Sequence, residues 1–486
     1  MLFNSLSFAF FFPVAVVLYY LIPGKFRTHV LLLASCVFYM AFVPKYIFIL
    51  FFLITLDFFL AQLIEKYEGK WRTFFLWASI AANIGMLFFF KYFDFFNVNV
   101  AALANVLHWN YTPTLLSVAL PLGLSFHVFQ SLSYVIEVYR RRYTPERNYF
   151  TYALYVMFFP QLVAGPIERP AHLLPQLKQV HSFDANKVRR GLERMLWGFF
   201  KKLVIADNIA PIVTHVYSGA PTDGLLIIIV MVLFAYQIYC DFSGYSDIAI
   251  GAALVLGFDI MENFNRPYAS TSIAEFWRRW HISLSLWFRD YLYIPLGGSR
   301  VYQWRFSMNI LVVFLASGVW HGANWTFVVW GFLHGLFIIL GSMTLSWRER
   351  IAAFIGLPRI RHAVQVVITF TLVTLGWVVF RSQDLPQAWW MISHVWVHGS
   401  QIFDVHYLRY EVFTAAVLGA SKLSLLVIGI SILTLEIVQY LQMKAQTMYV
   451  WETTSNARRL MWSYGVLAGI LFFGNLGAQT FIYFQF

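Results

Sequence analysis

Two histidines lie in stretches where ionisable side chains are scarce and a third in a charge-dense one, and imidazole is the side chain best suited to moving a proton near neutral pH. His321 stands between the apolar runs FSMNILVVFLASGVW and GANWTFVVWGFLHGL, where Gly318, Gly322 and Ala323 leave room for a substrate to approach the backbone. His334 follows in a similar apolar setting, beside Gly335, and His281 sits among Arg and Trp in FWRRWHISLSLWFRDYLY. The chemistry such groups support is general acid–base work. Against it stands a purely structural imidazole hydrogen-bonded between helices. That reading weighs most for His334, which has no polar neighbour in sequence. His108 and His127 receive no role.

Other chemistries lack their residues. There is no HExxH, no HxxxH and no carboxylate at ligand spacing from these histidines, so no metal is expected. No GxSxG elbow occurs, and no glycine-rich phosphate loop, zinc-knuckle spacing or basic-aromatic RNA motif. Cys36 and Cys240 lie in apolar stretches without CxxC spacing and read as small buried hydrophobes. The segment CDFSGYSDIAIG (240–251) carries Asp241, Ser243, Ser246 and Asp247 in an apolar context, and fits polar packing as well as a substrate site.

These residues must be positioned by elements that live in lipid. Of 486 residues, 60% are hydrophobic, 20% aromatic and only 12% charged, and the mean hydropathy is +0.65. Soluble domains carry about twice that charge, so a multi-span membrane protein is expected. The net charge of +12 then reads as an excess of Lys and Arg in inward-facing loops rather than as a nucleic-acid footprint. Apolar stretches predict spans at 2–22, 28–44, 46–64, 73–93, 114–138, 224–240, 306–320, 325–345, 363–380, 423–441 and 460–484, with interrupted pieces at 149–164, 194–216, 245–258 and 385–398. The N-terminal stretch lacks a basic n-region and a small-residue cleavage site, and reads as a retained first span.

Basic residues alternate with these spans. Lys25/Arg27, Glu65–Arg72 and Arg140–Arg147 fall on one side, and 94–113, without Lys or Arg, on the other. The first three clusters are read as cytoplasmic, which places the N-terminus outside. The piece 149–164 then lies between two inward-facing basic stretches and is expected to be re-entrant. Residues 168–202, with Lys187, Arg189, Arg190, Arg194, Lys201 and Lys202, read as cytoplasmic interfacial helices. The Trp/Arg alternation of 275–293 reads as an amphipathic helix lying at the same interface.

Taken together, QLVAGPIERP (161–170), DFSGYSDIAIG (241–251), ENFNRPY (262–268), EFWRRWHISLSLWFRDYLYIPLGGSR (275–300) and GVWHGANWTFVVWGFLHG (318–335) resemble the membrane-bound O-acyltransferase (MBOAT) family. Within it they resemble the bacterial branch of alginate O-acetyltransferase membrane subunits, as do LPLGLSFHVFQSLSYVIEVYR (120–140) and the closing FIYFQF. The resemblance covers nearly the whole chain. It implies a cytoplasmic acyl-CoA donor, acetyl-CoA for this branch, used as substrate with no bound cofactor. It also implies a hydroxyl acceptor reached through a tunnel, and periplasmic partner proteins that pass the acetyl group to a polysaccharide. Its two key positions fall on His321 and, as the upstream polar partner, His281. His321 would act as base and His281 as a candidate donor to the developing oxyanion. Arg278, Arg279, Arg289 and Arg300 could receive the CoA phosphates, or equally anchor anionic lipid.

The expectation is therefore an all-α polytopic protein with about 11–13 spanning or re-entrant helices by the hydropathy criterion. It forms a single domain: 1–147 as N-terminal spans, 148–345 as catalytic core and 346–486 as C-terminal spans. The expected activity is acetylation of a hydroxyl on the periplasmic side of the bacterial inner membrane, feeding O-acetylation of an alginate-type polysaccharide. The alternative is a transporter or flippase of polysaccharide or acyl groups; no internal repeat supports it.

Overall fold

A computed structural model of the chain describes residues 1–116, 118, 120–163, 165–219, 224–397, 419–449, 454–477 and 481–482. All but the first two residues of the closing FIYFQF lie outside the described residues. The described elements are helices, with no strand among them. Among the described residues, six helical segments are long and apolar enough to cross a membrane: Pro44–Lys66, Gly69–Val106, Gly224–Val255, Trp325–Met343, Pro358–Arg381 and Lys422–Ala445. The protein is an all-α, multi-pass membrane protein.

The described chain divides into two compact units, residues 1–192, 249–262 and 289–291, and residues 193–248, 263–288 and 292–486. In the first unit run α1 (Leu6–Leu21), α2 (Arg27–Met40), α3 (Ile47–Lys66), α4 (Gly69–Leu87), α5 (Phe93–Val106), α6 (Leu124–Tyr139), α7 (Tyr149–Met157), α8 (Phe159–Leu162) and α9 (Pro170–Leu177). α4 and α5 are joined through a π-helical turn at Phe88–Tyr92 into one segment of 38 residues, about 57 Å long at the α-helical rise. The stretch 94–113, without Lys or Arg and expected as a loop, is thus helical to Val106. Its apolar residues allow a helix to continue, and Asn99 satisfies its amide on the Phe95 carbonyl at 2.7 Å.

The helix expected from residue 114 begins only at Leu124. Pro121 precedes it, and Gly123 takes the left-handed conformation (φ 76°) that caps it; a Cβ there would stand 2.8 Å from the Leu162 carbonyl oxygen. The segment expected to be re-entrant is split into α7 and α8 at Phe158, and residues 151–163 are all buried. A break in helical backbone within a membrane protein is tolerated where protein, not lipid, surrounds it.

α10 (Ala185–Phe199) leads from the first unit into the second, followed by a π-helical turn (Phe200–Ala206), α11 (Asp207–Tyr217), α12 (Gly224–Val255), α13 (Ile273–Arg279), α14 (Ile282–Phe288), α15 (Gln303–His321) and α16 (Trp325–Met343). Then come α17 (Leu345–Ile355), α18 (Pro358–Arg381), α19 (Leu385–Ser393), α20 (Lys422–Ala445) and α21 (Asn456–Phe473). Of the cations expected on interfacial helices here, Lys187 and Arg189 are exposed, whereas Arg194, Lys201 and Lys202 are inside, 1–4% exposed. Lys202 pairs with Asp207 at 2.7 Å and Asp241 at 2.8 Å. Asp247 pairs with Arg194 at 2.5 Å and with Lys201. The acids are supplied by α11 and α12, and charges taken out of water persist when paired in this way. Of the two readings left open for 240–251, the structure shows polar packing for Asp241 and Asp247.

α15 and α16 form a tight antiparallel hairpin. Gly318 and Gly331 meet across it: a Cβ on Gly318 would lie 2.3 Å from the Phe327 carbonyl oxygen, and one on Gly331 2.3 Å from that of Phe314. Both obstacles are backbone, so neither can swing aside. Replacing Gly331 by Val should therefore lower stability by about 1–3 kcal/mol through overpacking. Thermal unfolding of the detergent-solubilised protein checks this; an unchanged melting temperature would show that the hairpin is looser than its geometry indicates.

Candidate active site

His321 is the last residue of α15, and the turn after it explains its placement. Gly322 ends the helix in extended backbone, and a Cβ there would sit 2.1 Å from the Phe327 ring, so the glycine makes space for that side chain. Asn324 then caps α16, accepting from the Thr326 amide at 3.0 Å. The sequence WHGAN is thus a helix end, a cleared space and a helix start. It leaves His321 only 5% exposed, with its ring against Trp320 (4.8 Å), Trp330 (5.0 Å) and Phe380 (5.5 Å).

His281 reaches the same aromatic cluster from another direction. Its ring lies 6.3 Å from Trp320 and 4.7 Å from Phe242. It is fully buried and its backbone is left-handed, φ 43°, a conformation costly for a residue with a side chain. The residue therefore separates α13 from α14, and the single interfacial helix expected over 275–293 does not form. The cause is a backbone pairing with residues 263–265: Asn265 N–H donates to the Arg279 carbonyl, and Ile282 N–H to the Asn263 carbonyl, each at 2.9 Å. Trp277, Trp280 and Trp287 are buried, while Trp304 is 69% exposed.

The Asn263 side chain fixes more than the fold. Its Oδ1 accepts from the Ser283 amide (3.3 Å) and the Ser283 hydroxyl (3.0 Å), while its Nδ2 donates to the Ser246 hydroxyl (3.4 Å). A backbone N–H can only donate, so the amide orientation follows from geometry. The third contact of Oδ1, 3.1 Å from His281 Nδ1, then requires a proton on Nδ1. In the neutral ring Nε2 carries the lone pair. Burial pushes the imidazole down to about 3, so at neutral pH the ring is uncharged and Nε2 is an acceptor. A donor role for His281 toward an oxyanion would require the imidazolium that burial disfavours.

His334 is also fully buried. Its Nδ1 accepts from the Trp277 indole at 3.2 Å, which places its proton on Nε2, facing Gly376, where a Cβ would come within 2.7 Å. Trp330 stands 5.0 Å from both His334 and His321. The arginines expected at phosphates differ in their local settings. Arg278 and Arg300 are exposed, Arg279 pairs with Glu275 at 2.6 Å, and Arg289, which falls in the other compact unit, pairs with Asp290 at 2.8 Å. Among the described residues no group of three or more His, Cys, Asp or Glu could hold a metal ion.

The residue that sequence reading missed is Asn263. It lies in the quoted ENFNRPY segment, but its amide gives no periodicity or charge signal of its own. Its side chain can be tested directly. Asn263→Ala should lower kcat at least about tenfold, the equivalent of one lost hydrogen bond to a buried group, with KM for the donor little changed. Asn263→Asp keeps the acceptor and adds a charge that favours the imidazolium. It should restore part of the rate while moving the acid limb of the pH–rate profile to higher pH. An Asn263→Asp profile superimposable on wild type would separate Asn263 from the imidazole.

The chain also matches known proteins in sequence. Residues 141–382 match the family model of the membrane-bound O-acyltransferases, MBOAT. The chain is 38% identical over 405 residues to a probable alginate O-acetylase of Azotobacter vinelandii, covering 82% of this chain and 79% of that protein. It is 38% identical over 407 residues to its counterpart in Pseudomonas aeruginosa, covering 82% and 76%. To a peptidoglycan O-acetyltransferase of Helicobacter pylori it is 34% identical over 423 residues, covering 80% and 78%. With two buried imidazoles in one aromatic cluster inside the matched segment, the chain belongs to the membrane-bound O-acyltransferase family.

Proposed function

We propose that this protein is a membrane O-acetyltransferase. It takes acetyl groups from acetyl-CoA on the cytoplasmic side and esterifies a hydroxyl presented from the periplasmic side, for O-acetylation of an envelope or secreted polysaccharide of alginate type. The named relatives that act on alginate and peptidoglycan support the substrate class. The bacterial inner membrane, an outside N-terminus and a tunnel open at both ends complete the reading, and the expected periplasmic partners would carry the acetyl group onward.

The observation that carries the proposal is the Nδ1–H tautomer that Asn263 gives His281, with His321 on the same Trp320 ring. A thioester is already activated, so the step that needs help is making a neutral hydroxyl nucleophilic. In the proposal His321 takes the proton of the attacking hydroxyl, a contribution of about 10²–10⁴-fold. His281 Nε2 accepts a hydrogen bond from a second polar hydrogen on the acceptor and sets its orientation. The hydroxyl oxygen bonds to the acetyl carbon, the carbon–sulfur bond breaks, and CoA departs as the thiol once the proton is passed to sulfur. Apolar rings around both imidazoles keep water from competing for the thioester. Arg278, Arg279, Arg289 and Arg300 remain the residues proposed to meet the CoA phosphates.

Purified protein given radiolabelled acetyl-CoA in detergent should release CoA and yield an acetylated acceptor. His321→Ala should reduce this at least about 100-fold without loss of thermal stability. His281→Ala should impair turnover, and His334→Ala should do less harm than either. Wild-type activity in His321→Ala would remove it from the mechanism. Absence of any CoA release from the wild-type protein would favour a transporter or flippase.

A further inference from the structure

Away from the histidines, the first unit carries an open cleft of about 640 Å³ lined by Gly69, Lys70, Arg72, Thr73 and Tyr139. We propose that this cleft binds the headgroup of an anionic glycerophospholipid. Its position follows from the chain: the candidate spans Pro44–Lys66 and Gly69–Val106 meet at the turn 67–68, so the cleft stands where the membrane gives way to water.

The cleft is built as well as basic. Arg72 is 8% exposed and forms its floor, donating through Nη2 to the Val138 carbonyl at 3.1 Å and the Tyr139 carbonyl at 2.6 Å. These are terminal carbonyls of α6, and a cation there also meets the negative end of the helix dipole. The hydroxyls of Thr73 and Tyr139 lie 3.3 Å apart, and each can turn its proton toward a phosphate oxygen. Lys70 is exposed and forms no ion pair among the described residues. Lys66 immediately precedes the same turn, and Arg141 reaches it in space through Glu68. Glu68 is the opposing charge, and it is engaged by Arg141 at 2.5 Å and Arg72 at 3.8 Å.

A lipid is favoured over a free anion by what flanks the basic groups. Trp71, Phe74 and Trp77 are 57–62% exposed, and the Trp71 and Phe74 rings meet edge to face at 5.8 Å. Exposed aromatic rings beside cations are what a lipid meets at the headgroup level, with its chains running past the rings. A free phosphate would gain nothing from them.

Native mass spectrometry of the delipidated full-length protein tests the proposal, using dioctanoyl phosphatidylglycerol, dioctanoyl phosphatidylcholine and inorganic phosphate as probes. Wild-type protein should retain the phosphatidylglycerol over the phosphatidylcholine. Lys70→Glu should reduce that retention roughly fivefold or more, and Lys25→Glu, an equal charge change outside the cleft, should leave it unchanged. Equal retention in Lys70→Glu, an equal loss in Lys25→Glu, or displacement of the lipid by inorganic phosphate at matching concentration would each overturn it. The lipid and the cleft need no acyl transfer, so the result stands apart from that of the enzymatic assay.

Discussion

The hydrogen bond from the Ser283 amide to Asn263 Oδ1 is a small interaction on which much of the site's chemistry depends. Because its donor is backbone, it leaves the Asn263 amide one orientation, and that orientation leaves His281 one neutral tautomer. The same asparagine accepts the Ile282 amide on its own carbonyl and so takes part in holding the left-handed backbone at His281. One residue thereby sets both the direction of the ring and the position of its proton. A hydrogen bond of this kind is worth only about 1 kcal/mol to stability. Its larger effect is to decide which nitrogen is a base.

The surroundings let that decision persist. His281, His321 and His334 are held among tryptophan and phenylalanine rings and are 0–5% exposed. Burial keeps the His281 imidazole neutral, and in such surroundings a polar partner has no competition from water. The same economy governs the charged residues of the second unit. Lys202 is shared by Asp207 and Asp241, and Asp241 also accepts the Ile482 amide at 2.7 Å. The described start of the closing segment is therefore held by a hydrogen bond to an ion-paired carboxylate inside the protein, with the Phe481 ring tilted against Tyr245 at 4.6 Å. In the first unit Asp57 is likewise enclosed, accepting from Ser79 at 2.6 Å and Asn83 at 2.9 Å.

Helical class and membrane character were legible in the sequence because apolar composition is a global signal. His321 and His334 stood out for the same reason, as rare polar groups in oily surroundings. What the sequence hid was pairing over distance. Lys201 looked like a surface charge because its acid, Asp247, lies 46 residues away, and Lys202 because one of its two acids, Asp241, lies 39 residues away. The Trp/Arg alternation of 275–293 looked like one helix because periodicity reports local preference. The pairing of 263–265 with 279–282 breaks it, and a run of amphipathic residues does not reveal such a partner. Asn263 was hidden because an amide in an apolar stretch gains its meaning only from what it touches.

The most direct measurement is the nitrogen NMR spectrum of the full-length protein in lipid with ¹⁵N-labelled histidine, His281 being assigned by difference against His281→Ala. The account predicts, at neutral pH, a protonated pyrrole-type signal from Nδ1 and an unprotonated pyridine-type signal from Nε2. Two protonated nitrogens, or a proton on Nε2 in place of Nδ1, would contradict it.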